Sequence, residues 1–195
     1  MIKGIPLSIL IALIFGAFYF TNYYFMFRYD PENKEGKKGW AWDYMLFTIA
    51  VVLVVVLQPI IAPVLTWNTD MGWGLMIQVV GGLLVLVSFA LHIWSRRHLR
   101  KFYVERVEVQ SDHQVIDTGP YRLMRHPIFT SFFALTGGIL LINPGIVTIL
   151  IFMYALWDFT RSARQEEQLL SDTVPGYKDY MRRTPRFLPR LRKNT

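Results

Sequence analysis

Three stretches of the chain run for 22 residues without a formal charge: Pro6 to Phe27, Tyr44 to Leu65 and Trp73 to Trp94. A hydrocarbon core of roughly 30 Å is crossed by about 20 helical residues, so each stretch predicts a membrane-spanning helix. A fourth uncharged stretch, Pro127 to Trp157, is 31 residues long and contains Asn143-Pro144-Gly145. Pro inside a helix removes a backbone hydrogen bond and clashes with the preceding turn. This stretch therefore predicts two short helices joined by a tight turn, the second continuing past Asp158 into the polar tail. The expected fold is all-α: an integral membrane bundle of five transmembrane helices in one domain, residues 1–195. Residues 1–94 hold three of the helices, and residues 95–195 hold a helical hairpin at 127–157.

The composition agrees with this pattern. The chain has 195 residues, 53% hydrophobic and 18% charged, against about 25% charged in soluble domains. It contains no cysteine, which excludes disulfides, thiolate metal sites, iron–sulfur clusters and a Cys nucleophile. The net charge of +7 raises the question of nucleic acid, and the placement of the charge answers it. Of 21 basic residues, four lie in Arg28–Asp43, seven in Ser95–His126 and nine from Phe159 onward, leaving only Lys3 elsewhere. With the N-terminus outside and the C-terminus cytoplasmic, 20 of the 21 face inward, as the positive-inside rule requires. The membrane would be the plasma membrane of a prokaryote or the endoplasmic reticulum of a eukaryote. The basic charge is read as topological, in part meeting lipid head groups, with no nucleic-acid and no protein partner. The first stretch is too long for a signal-peptide core and offers no small-x-small cleavage site, so it is retained as a span. Gly81-Gly82 and Gly137-Gly138 suit close helix approach, and Pro59 and Pro63 are expected to kink the second helix. Gln58, Gln78 and His92 are the polar residues inside spans, His92 being expected at the interface.

Function then has to reside on the polar, cytoplasmic side, where the 95–126 loop and the C-terminal tail are expected to build a site. Gly119-Pro120 marks a turn, and Tyr121 to His126 brings a hydroxyl, two guanidiniums and an imidazole to the start of the hairpin. Pro127 suits a first helical position, leaving unpaired N–H groups that favour a carboxylate or phosphate ligand. Val115-Ile116 offers extended backbone to a ligand. Glu166 and Glu167, adjacent on a helix, point about 100° apart. One reading gives them a role in a pocket; the other pairs Glu167 with Arg164 at i,i+3 and lets Arg161 reach head groups. Dinucleotide, phosphate-loop and zinc-protease motifs are absent, and the four histidines lack metal-ligand spacing, so no metal is expected.

Gly119-Pro-Tyr-Arg-x-x-Arg-His-Pro127, a helical hairpin, Glu166-Glu167, Tyr177-x-x-Tyr180 and Pro185-Arg-Phe-Leu-Pro189, in this order, resemble the isoprenylcysteine carboxyl methyltransferase family. That family belongs to a wider group of membrane methyltransferases that includes phospholipid methyltransferases. The resemblance covers about residues 95–195 and implies S-adenosylmethionine as methyl donor, with S-adenosylhomocysteine as product. By position, it places His113, Gln114, Val115 and Ile116 along the cofactor. Tyr121, His126 and Pro127 would hold its amino-acid end, and Gly119, Ile128 and Phe129 would line the pocket. Glu166 matches the family's cofactor-contacting glutamate, with Glu167 as the alternative. Arg164 and Arg161, with Glu166, are the candidates for catalysis. The implied acceptor is a lipid or prenylated small molecule or peptide, foremost the carboxylate of an isoprenylated cysteine. The chain departs from the family at Ser162, where an arginine is common, and at Phe129, where tyrosine is common. A phospholipid methyltransferase, an NADPH-dependent sterol-type reductase and a non-enzymatic docking module are the alternatives.

Overall fold

The structure, a computed structural model, describes residues 2–29, 42–62, 73–99 and 115–189. Among these residues every regular element is helical. In chain order they are α1 (Gly4–Tyr29), α2 (Trp42–Ile61), α3 (Gly74–Leu99), a 3-10 turn (Gly119–Arg122), α4 (Pro127–Ile142), α5 (Ile146–Thr173) and α6 (Tyr177–Arg183). The uncharged stretches coincide with helices, and α5 continues past Asp158 as expected. Pro59 lies inside α2, while Pro63, His113 and Gln114 lie outside the described residues.

Helices α1, α3 and α5 are long and apolar enough to cross a membrane, whereas Leu46–Ile61 and Pro127–Ile142 are shorter apolar helices. At about 1.5 Å per residue, the 16 residues of α4 extend roughly 24 Å. The chain is thus an integral membrane protein whose large side chains face both ways. Leu7, Ile11, Phe15 and Phe18 repeat at helical spacing on the inner face of α1 and pack with Val55, Val85, Leu135, Ile139 and Ile142. Ile5, Ile9, Leu13 and Phe20 on the same helix are exposed, the arrangement expected where the solvent is lipid.

Lipid offers no hydrophobic drive between helices, so close packing and internal hydrogen bonds must supply it. Helices α3 and α4 meet at two glycines. A Cβ on Gly81 would lie 2.7 Å from the Gly138 carbonyl oxygen, and one on Gly138 would lie 2.8 Å from the Gly81 oxygen. Their sequence neighbours behave differently: Gly82 faces open space and Gly137 makes ordinary contacts. At the hairpin end, Gln78 accepts from the Ile2 N–H at 2.9 Å and donates to the Ile2 and Ile142 carbonyls at 2.9 and 3.0 Å. It thereby satisfies one of the carbonyls that the end of α4 leaves unpaired. Thr148 donates within the Asn143–Gly145 turn, 2.8 Å from the Asn143 oxygen and 3.0 Å from that of Gly145.

Toward the other end of the bundle, Ser88 donates to the Ser131 carbonyl at 2.8 Å. Ser131 Oγ donates to the Ile128 carbonyl at 2.6 Å, so the His92 Nδ1–H at 3.1 Å is the donor in its contact with Ser131 Oγ. His92 is fully buried among the helices. The physical reason is its partner on α4: the imidazole bonds across the α3–α4 contact, with its ring against Phe18 and Phe132.

Replacing Gly138 by Val should lower the thermal midpoint of the detergent-purified protein, since overpacking costs about 1–3 kcal/mol. Gly82→Ala, whose Cβ meets nothing within 4 Å, should leave the midpoint unchanged or raise it. A thermal-unfolding series on the two variants separates the glycine that fits the contact from the one that faces outward.

Candidate active site at the start of the hairpin

The site forms where the turn before α4, the polar end of α5 and the last described residues converge. Gly119 has φ +56°, and a Cβ there would collide with the His98 ring on α3. Only glycine meets both requirements, and the turn it starts sits against the end of α3. Pro120 and Tyr121 are buried in that turn. His126 caps α4 and Pro127 takes its first helical position. By helix geometry the N–H groups of Ile128 and Phe129 have no intrahelical acceptor.

The polar end of α5 alternates in exposure with its turn. Ala163, Glu167 and Leu170 face inward, Ser162 and Glu166 are half-buried, and Arg161 and Arg164 are exposed. The side chain of Glu167 is only 3% exposed, so its charge must be matched inside the protein. Its Oε1 accepts from Arg125 Nε at 2.8 Å, His126 Nε2 at 3.0 Å and Arg186 Nε at 3.0 Å. Its Oε2 accepts from Arg186 Nη2 at 2.5 Å. The i,i+3 pairing of Glu167 with Arg164 does not form: Glu167 faces the interior, where Arg125 and Arg186 reach it from two other segments. Arg161 lies over the Trp157 ring, 5.6 Å from its centre.

His126 stands between the two acids. Its Nε2 faces Glu167, and its Nδ1 lies 3.5 Å from Oε2 of Glu166, whose side chain is 39% exposed. The ring stacks on Phe129 with an interplanar angle of 8° and leans on Phe187. Phe129 in turn stacks on Phe159. Burial alone pulls the His126 pKa down, but the hydrogen bonds its ring donates to Glu166 and Glu167 and the negative charge of those acids reverse this, and the net shift is upward.

The remaining walls come from the C-terminal part. Residues 184–187 run along the start of α4: the Arg125 N–H donates to the Pro185 carbonyl at 2.9 Å and the His126 N–H to the Arg186 carbonyl at 3.0 Å. Arg125 Nη1 donates to the carbonyls of Met181, at 2.8 Å, and Thr184. Tyr180 of α6 donates its hydroxyl to the Tyr121 carbonyl at 2.6 Å. Tyr177 and Tyr180 pack with Leu170, Val174 and Val115, so the extended segment before the turn is fixed from the same side.

A family model described as the isoprenylcysteine carboxyl methyltransferase (ICMT) family matches residues 80–172, which contain the turn, the hairpin and both glutamates. The protein-S-isoprenylcysteine O-methyltransferase of Saccharomyces cerevisiae is 26% identical over 172 residues, covering 83% of this chain and 70% of that protein. Just under half of the chain, residues 80–172, is thus similar to the isoprenylcysteine carboxyl methyltransferase family. The nickel-cobalt-cadmium resistance protein NccN of Alcaligenes xylosoxydans xylosoxydans is 30% identical over 143 residues, 72% of this chain, and the chain spans 62% of its length. The solved structure of a eukaryotic intramembrane Ras methyltransferase ICMT shares the fold, with TM-score 0.68 and 19% identity, covering 95% of this chain and 68% of that one.

The structure brings Gly119, Tyr121, His126, Pro127, Ile128, Phe129, Glu166 and Glu167 to one end of the bundle, with Val115 and Ile116 at its margin. Arg161 and Arg164 share the helix but are exposed. The residues not singled out from the sequence are Arg125 and Arg186. Both lie in motifs noticed there, and the missing signal was that a buried acid demands cations.

The raised pKa of His126 gives a signed expectation. The protonated ring pairs with two carboxylates, so its stabilisation is fully present below the ordinary value of 6.5 and is lost as pH rises through the higher folded-state value. The gap in thermal midpoint between the protein and His126→Asn should therefore be wider at pH 6 than at pH 9, which a denaturation series at fixed salt checks.

Proposed function

We propose that the protein is an S-adenosylmethionine-dependent methyltransferase acting on a lipid-borne acceptor, foremost the carboxylate of an isoprenylated cysteine or a similar compound. The observation that carries this reading is the His126–Glu166 pair at the start of α4, within the segment that matches the family. The residues present suit the cofactor. Glu166 is partly open and acidic, fitting an ammonium group, and the free N–H groups of Ile128 and Phe129 fit a carboxylate. The faces of Phe129 and Phe159 suit a cation such as a sulfonium. S-adenosylmethionine, when bound, supplies an activated methyl group on positive sulfur. His126, Pro127 and Tyr121 would hold its amino-acid end, with Glu166 on the ammonium and Val115 and Ile116 along its length. His113 and Gln114, by the family resemblance, would extend that wall.

The five helices would all span, with the N-terminus outside and the site on the cytoplasmic side. The acceptor would keep its apolar chain in the bilayer and offer its polar end at the interface. Direct displacement requires the acceptor oxygen in line with the methyl–sulfur bond, and holding it there accounts for much of the rate. A carboxylate is already ionised at neutral pH and needs no base. Arg164, with Arg161, would fix it by forked hydrogen bonds.

A second acceptor class is favoured by one observation. Ser162 shares the half-buried face with Glu166, whereas both nearby arginines are exposed. A phospholipid amine needs no guanidinium but must lose a proton before attack, and the partly open Glu166 is the group placed to take it.

Calorimetric titration of S-adenosylhomocysteine, with NADPH in parallel, should show saturable binding of the former alone; NADPH binding alone would favour a reductase. Glu166→Ala should weaken S-adenosylhomocysteine about tenfold or more, in keeping with loss of a charge-assisted hydrogen bond. Labelled methyl transfer to farnesylated cysteine and to phosphatidylethanolamine distinguishes the acceptors. With the carboxylate acceptor, Arg164→Ala should raise acceptor KM and leave cofactor affinity unchanged.

A further inference from the structure

We infer that Arg186 is a positioning residue: through Glu167 it locks residues 184–187 across the start of α4 and thereby fixes the imidazole of His126 against Glu166. This inference rests on the methyltransferase reading for its consequence, since the ligand whose binding depends on that geometry is the cofactor.

The two adjacent glutamates are in opposite situations. Both oxygens of Glu167 are engaged by three donor side chains, and its side chain is 3% exposed. It cannot turn to a ligand without stranding Arg125 and Arg186. Glu166 has a 3.5 Å contact to His126 and a side chain that is 39% exposed, so it is the acid left to meet a ligand. His126 is held through one nitrogen by Glu167 and presents the other to Glu166, so the orientation of the ring is set by the inner acid.

The same ring depends on the chain end. Phe187 lies against it at 6.0 Å between ring centres, and the His126 N–H bonds to the Arg186 carbonyl at 3.0 Å. Residues 184–187 belong to no helix, and two backbone bonds join them to Arg125 and His126. Sideways they are anchored by the Arg186 guanidinium on Glu167, bonded through Nε and Nη2, and at Phe187 by the Thr130 hydroxyl, which donates to its carbonyl at 2.9 Å, and by the Phe133 ring. Arg125 closes the loop from the other side, bonding Glu167 with Nε and the Thr184 carbonyl with Nη1. One carboxylate thus ties the start of α4, the end of α5 and the chain end together.

Hydrogen–deuterium exchange on the full-length protein in detergent tests the lock without any ligand. Glu167→Gln keeps side-chain size but leaves the buried cations around it uncompensated, whereas the Arg186 side chain is 32% exposed, so Arg186→Gln is the milder variant and should fold. In both variants the amides of Arg125 and His126 should exchange about tenfold faster, the effect of losing a charge-assisted bond. Exchange in α1 and α3 should be unchanged, and Arg186→Lys should restore part of the protection. S-adenosylhomocysteine affinity should fall about tenfold in both Gln variants, with partial recovery in Arg186→Lys and no further loss in the double variant.

Unchanged exchange overturns the lock. Faster exchange with unaltered S-adenosylhomocysteine affinity overturns the positioning role and leaves a fastening alone. Weaker binding in Glu167→Gln without faster exchange would make Glu167 a direct ligand contact, which also overturns the inference. If the unaltered protein binds no S-adenosylhomocysteine, the methyltransferase reading fails, and exchange still decides the lock in either direction.

Discussion

A carboxylate taken out of water has to be compensated by the protein around it, and here Glu167 imposes that demand. Removing one partner of a buried ion pair strands the other charge. The inner end of α5 can therefore be occupied only if Arg125, His126 and Arg186 arrive together. Those residues come from the turn before α4 and from a segment some twenty positions beyond Glu167. Satisfying one acid consequently assembles a site from parts with little apolar area to hold them. The tyrosines of α6 add the rest, through Tyr180 bonding to the Tyr121 carbonyl and Tyr177 packing against Val115.

The membrane part works by a different economy. Its helices gain little from burying apolar surface against one another, so they meet where backbone can approach backbone, at Gly81 and Gly138, or where polar groups bond across the gap. Gln78 closes the hairpin end and the Ser88, Ser131 and His92 bonds close the other. The second set reaches α4 at Ser131, within two turns of His126. A rigid α3–α4 pair is thus the base on which Pro127 and His126 are presented, and the Gly119 turn is seated on the end of the same α3.

The helices were legible because their signal is one-dimensional: an uncharged run of the right length, or a Pro-Gly interruption at Asn143-Pro144-Gly145. The site was legible as a set of residues, through the order of its motifs, and less so as a set of contacts. Helical spacing placed Arg164 beside Glu167, and that pairing is local. The actual partners are 42 and 19 residues away, and long-range partners leave no periodicity to read. The burial of His92 was hidden for the same reason. Its position near the end of an apolar run suggests an interface, while its bond to Ser131, 39 residues on, depends on how two helices cross.

The division between the glutamates follows from helix geometry once the inner one is fixed. With Glu167 directed at Arg125 and Arg186, the residue before it is turned by about 100°, toward the other nitrogen of the same imidazole. Ser162, four residues earlier, shares that direction. The face of α5 that borders the site therefore carries an acid and a hydroxyl, and the arginines of the same helix face outward over Trp157 and beyond. Such a face attracts positive charge, which on the proposed methyltransferase reading would suit a cationic cofactor whatever the acceptor is. Anionic acceptors then need a cation brought from elsewhere or from a rotated arginine, whereas an amine needs only a base. The charge on this one helical face therefore bears directly on which acceptor the proposed methyl transfer would use.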